Sequence, residues 1–165
     1  MLESIQKNVT WRAIPIAGIS AGTIFLLVNL VLTPIVMEVD PAIILRYMAS
    51  LILGSDVLME SNSADIIIVG LIVNYGISLV GAFVIAVVIH RWGLLIGIVI
   101  GAILGLAIYG INLYTLTFFF DLDWFIAINS LVFMISHVVF GAVAGGVYEL
   151  FDHYDVPFEL GGNHE

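Results

Sequence analysis

The chain has 165 residues, of which 62% are hydrophobic and 10% charged, whereas a soluble domain carries about a quarter charged residues. Four Lys and Arg stand against thirteen Asp and Glu, a formal net charge of -9, and cysteine is absent. This is a membrane composition that excludes a cytosolic enzyme, a nucleic-acid binder, a disulfide scaffold, an iron–sulfur cluster and a thiolate metal site, and it argues against anionic-lipid recognition.

The predicted elements begin after a short N-terminal segment, residues 1–12, with an apolar run over 13–37. Lys7 and Arg12 precede it as they would a signal peptide, but the run is too long and no small-x-small cleavage site follows, so it is read as a retained span. Residues 40–54 come next. Asp40 can cap a helix, Pro41 suits its first turn and Gly54 can end it. At 1.5 Å per residue such a helix reaches only about 20 Å, too short to cross a hydrocarbon core of ~30 Å, so it is expected to be interfacial or re-entrant. Its polar strip is Arg46 and Ser50, four apart on one face.

Three more spans follow at 66–89, 94–118 and 125–148, none containing Asp, Glu, Lys or Arg. The fold class is therefore an all-α integral membrane protein, 13–148, with four transmembrane helices and one short helix between the first two. Trp11, Trp92 and Trp124 sit at span ends, where amphipathic rings anchor in the interfaces. Lys7, Arg12 and Arg91 flank one side and Arg46 the other. By the positive-inside rule both termini are cytoplasmic, with the short helix and the 121–124 turn outside. Residues 149–165 form an acidic cytoplasmic tail, expected to be solvated and without recognisable metal-ligand spacing.

A constant offset brings Gly18 onto Gly101, Gly22 onto Gly105, Asn29 onto Asn112 and Leu30 onto Leu113. A second places Asn74 over His137, Ser78 over Gly141 and Ala82 over Gly145. The chain then reads as two repeated hairpins in the same orientation, related by an axis along the membrane normal. Gly93, Gly97, Gly101 and Gly105 recur every fourth residue, as do Gly18 and Gly22, and Gly141 and Gly145. Such faces let helices approach closely in lipid, where apolar surface gives little drive to associate. Whether the long seam meets a helix of its own chain or another copy stays open.

The polar residues follow these faces. Asn29, Asn74 and Asn112 each lie nine residues from an acidic boundary residue, roughly 13 Å into the membrane. Ser78 follows Asn74 by one turn, Tyr109 lies one turn from Gly105, and His137 sits deeper on the fourth span. Three readings stay open: hydrogen-bonding glue between helices, a small polar cavity, open to the outside, that binds an ion or solute, and, as the remainder, a cofactor role for His137. No paired carboxylates, zinc-protease motif or Ser/His/Asp set is within reach, so no catalytic residues are assigned. His90 is badly placed as a second ligand with His137, and no metal or haem is expected. Arg46 is expected to pair with Glu38, Asp40, Asp56 or a carbonyl, or else to bind a lipid headgroup.

The stretches GAILGLAIYGINLYTLTFFFDLDWF, SHVVFGAVAGGVYEL and LRYMASLILG resemble small four-helix prokaryotic membrane proteins of no established function, some labelled sodium:proline symporter. Asn74 stands where a histidine is expected in such relatives. The resemblance implies a multi-pass protein of a prokaryotic inner membrane. The combined reading is an accessory or assembly subunit, with other membrane subunits or further copies of itself as partners besides the bilayer; the alternative is a small solute or ion translocator working as an oligomer.

Overall fold

The computed structural model describes residues 9–59, 63–90, 92–116, 118 and 131–154. Helix α1 spans Ala13–Met37 and α2 Ile43–Leu53, followed by a 3-10 turn at Ser55–Leu58. Helix α3 spans Ala64–Ile89, α4 Leu94–Gly110 with a π-helical continuation over Ile111–Leu116, and α5 Leu131–Tyr154. Four of these are long and apolar enough to cross a membrane, and α2 is the shorter apolar helix between the first two. The expected all-helical membrane bundle is thus observed. Of the fourth expected span, 125–130 lies outside the described residues, as do Lys7, Arg91, Asp121, Asp123 and Trp124.

Helix α2 forms as its boundary residues dictate. The Asp40 carboxylate accepts the Ala42 amide at 2.7 Å and its carbonyl accepts the Ile43 amide at 3.0 Å, satisfying donors that a helix start leaves unpaired. Gly54, at φ +90°, ends the helix in a conformation that side-chain-bearing residues rarely adopt. Ile44, Leu45, Met48 and Ala49 are buried and Ile52 is exposed, so one face of α2 packs on the bundle. Gly70 of α3 makes room for it, since a Cβ there would overlap the Leu45 carbonyl.

Helix α5 is the axis of the bundle, packing most extensively on α4, then on α1, and also on α3. The α4–α5 contact is backbone against backbone. A Cβ on Gly101 would overlap the Gly141 carbonyl, one on Gly105 the His137 carbonyl, and one on Gly145 the Gly97 carbonyl. The glycine seam of the third span therefore meets a helix of its own chain. Gly18 and Gly22 of α1 face α3, lying against Leu79 and Ala82 and against Ser78 and Tyr75 respectively. Gly93 is the exception. It has nothing within 4 Å of a notional Cβ, and its φ of +88° serves the entry into α4 rather than packing.

The helix ends meet at one face of the bundle. Tyr148 Oη accepts the Thr10 amide at 3.1 Å, and the Thr10 hydroxyl donates to the Asp152 carboxylate. Glu149, 4% exposed, accepts the amides of Trp92 at 3.2 Å and Gly93 at 3.0 Å. The first residues after the expected span thus belong to the bundle: α5 runs on to Tyr154, and Glu149 is a clamp on the start of α4 rather than the start of a solvated tail.

Candidate functional site

The polar residues within the spans fall into three groups. Asn29 is fully buried but turned onto its own helix, its amide donating to the Phe25 carbonyl at 2.9 Å while its oxygen accepts the Thr33 hydroxyl at 3.3 Å. It does not join the other asparagines. Asn74 crosses from α3 to α1, where its Nδ2 donates to the Gly22 carbonyl at 3.3 Å, and Ser78 donates to the Asn74 carbonyl at 2.7 Å. Asn112 crosses from α4 to α5, its Nδ2 donating to His137 Nε2 at 3.4 Å.

The histidine is held as a neutral ring by these roles. His137 Nδ1 donates to the Phe133 carbonyl at 2.9 Å, which leaves Nε2 as an acceptor for the asparagine. Around it stand Phe133, Phe25 and Tyr109, all edge-on, with ring centroids at 4.5, 5.0 and 5.6 Å. Edge-on contacts bring the positive rim of one ring to the negative face of the next, so the cage also fixes the plane of the imidazole. Asn112 reaches it from the π-helical turn of α4. Asn112 lies seven residues, about two helical turns, beyond Gly105, so the spacing of the glycine seam itself brings it to the α5 side.

Asn74, Ser78, Asn112 and His137 line a common cavity of about 280 Å³. Its remaining walls are apolar: Phe25, Phe133 and Phe140 behind, Met48 and Leu51 of α2 at one end, and Ile77, Val80, Gly81, Val84, Ile108 and Ile111 along α3 and α4. The cavity exists because α3 and α4, although consecutive in the chain, pack little against each other. Its rim residues Val80 and Ile111 are 65% and 51% exposed. The expected polar cluster is therefore assembled in part. Four of its six members share the cavity, Tyr109 backs it by caging His137, and Asn29 lies elsewhere. Val80 and Ile111 lie on the apolar lateral surfaces of α3 and α4.

Arg46 finds the carbonyl that was one of its expected partners, Nη1 donating to Leu58 at 3.4 Å. Met48 and Leu51, the cage residues Phe25 and Phe133, and Glu149 were not singled out from the sequence as site residues. Of these Phe133 and Glu149 have a spacing that reveals them, eight residues before Gly141 and eight beyond it, hence on the α5 seam. Thr23 of α1 and Tyr75 of α3, whose hydroxyls lie 3.0 Å apart, form a further tie between those helices. Among the described residues no group of three or more metal-ligating side chains comes together. Comparison with protein-family models, with curated proteins and with solved structures finds no match for this chain, so the reading of the site rests on its own geometry.

Proposed function

We propose that this protein is a non-catalytic accessory or assembly subunit of a larger membrane complex, seated in a prokaryotic inner membrane with both termini in the cytoplasm. The observation that carries the reading is how the intramembrane polar groups are used. Asn74 ties α3 to α1 and Asn112 ties α4 to α5, the role of polar residues as glue between membrane helices, and the apolar outer faces are left to lipid or neighbouring subunits. The orientation is supported by two contacts at the same end of α5: Thr10, which precedes Arg12 by two residues in the chain, bonds Tyr148 there, and Trp92, which follows Arg91 in the chain, bonds Glu149.

The two-hairpin repeat is part of this reading, supported by a shared packing register. Gly18 lies on Ala82 as Gly101 lies on Gly145, and Gly22 lies on Ser78 as Gly105 lies on Gly141. These are the positions that the two sequence offsets equate. Native mass spectrometry after tagging at the chromosomal locus and mild detergent extraction tests the proposal. Recovery with stoichiometric larger subunits is expected; recovery as a homo-oligomer alone would overturn it. That second outcome would favour a solute or ion translocator, a reading supported by the polar residues that line the cavity, and would make liposome flux the next measurement.

A further inference from the structure

We propose that the cleft between α3 and α4 is a binding site for an uncharged amphiphile taken from the bilayer, a molecule with a hydroxyl head and an apolar chain. The inference does not depend on whether the protein serves a larger complex. Under the repeat, the α1–α5 contact has the α3–α4 contact as its counterpart. The first is close and the second is open, so the bundle leaves a vacancy where its own symmetry would place an interface.

The chemistry of the cleft selects the occupant. Its rim is apolar and faces lipid, which favours entry of a membrane-soluble molecule over that of a hydrated solute. Its floor is not apolar. Each of Asn74 and Asn112 makes one side-chain hydrogen bond through Nδ2, and among the described residues neither amide oxygen has a partner, although an asparagine side chain offers two acceptor and two donor sites. A head that both donates and accepts can use this remaining capacity. His137 is neutral in its hydrogen-bonding arrangement, and the lining holds no Arg, Lys, Asp or Glu, so the floor offers no counter-charge to an anionic or zwitterionic head.

Size points the same way. Along α3 the lining runs from Asn74 to Val84, about 15 Å of helix rise and half of the hydrocarbon core. A helix crossing the membrane would need a groove along the whole span. At about 280 Å³ the cavity lies near the lower end of small-molecule sites, enough for a head and the first part of a chain, with the remainder left in lipid.

The test uses the full chain in phosphatidylcholine vesicles and a long-chain alcohol bearing a diazirine, with the labelled residues read by peptide mass spectrometry. Labelling is expected on Ile77, Val80, Val84 or Ile111. An unlabelled C18 alcohol should compete better than the C18 alkane by about fivefold, the effect of roughly one net hydrogen bond. Val80→Trp, at the lipid-facing rim, should reduce labelling several-fold, while Leu27→Trp on the exposed side of α1 should leave it unchanged. Equal competition by the alkane, labelling spread evenly over all lipid-facing helices, or unchanged labelling in Val80→Trp would each overturn the proposal. So would irradiation of native membranes carrying a photoreactive residue at position 80, if it joined the cleft to a protein chain rather than to lipid.

Discussion

Glu149 shows how one side chain can serve two helices. Its carboxylate receives two amides at the start of α4, where the unpaired N–H groups and the positive end of the helix dipole favour an anion. The same side chain lies over Gly97, whose missing Cβ leaves room for the Glu149 Cγ. Hydrogen bonds to a charged acceptor contribute more than neutral ones, so Glu149→Ala should lower bundle stability by about 2 kcal/mol, whereas Glu149→Gln, which keeps one acceptor oxygen, should cost about 1 kcal/mol. Unfolding in mixed micelles titrated with a denaturing detergent measures both. Equal losses in the two variants would show that side-chain packing, not the paired acceptor, holds α4 at this end.

Between elements, the glycines divide by what their hydrogens touch. At Gly105 the neighbour is the His137 carbonyl, part of a helix backbone, so an added methyl can be accommodated only by moving α4 away from α5. At Gly76, in the middle of α3, nothing lies within 4 Å. Gly105→Ala should therefore destabilise by about 1–3 kcal/mol, as overpacking does. Gly76→Ala should be neutral or stabilising by up to about 1 kcal/mol because alanine loses less freedom on entering a helix. The same detergent titration compares them, and a shared sign would refute the distinction. Spacing alone groups Gly93 with Gly97, Gly101 and Gly105; the backbone angle of Gly93 separates it, since a turn is entered there rather than a seam.

The whole molecule is a bundle closed on three sides and open on the fourth. Its end faces are distinguished by α2 and the Ser55–Leu58 turn at one and by the Thr10, Trp92 and Glu149 contacts at the other. Because the chain has no cysteine, each face can be marked by a single introduced thiol. In sealed right-side-out vesicles, Ser55→Cys should react with a membrane-impermeant maleimide, and Trp92→Cys should react only after the vesicles are opened. The reverse pattern would invert the topology drawn from Lys7, Arg12 and Arg91.

What the sequence determined by itself is what depends on local spacing and on the bilayer as solvent. Runs of apolar residues long enough to cross set the four spans, Asp40 and Gly54 bound the short helix, and fourfold glycine spacing marks the faces that come closest. The tertiary structure decided which faces meet and what they enclose. Asn29, Asn74 and Asn112 have similar calculated depths, yet Asn29 bonds within α1 while the other two cross between helices. Depth follows from rise per residue, but a side chain's partner depends on the rotation and separation of helices distant in the chain. The open side of the bundle has the same origin. No residue of α3 or α4 encodes a gap; it arises because α4 is drawn onto α5 by glycines that allow backbone contact, while α3 is held to α1 by Asn74, Ser78 and Tyr75.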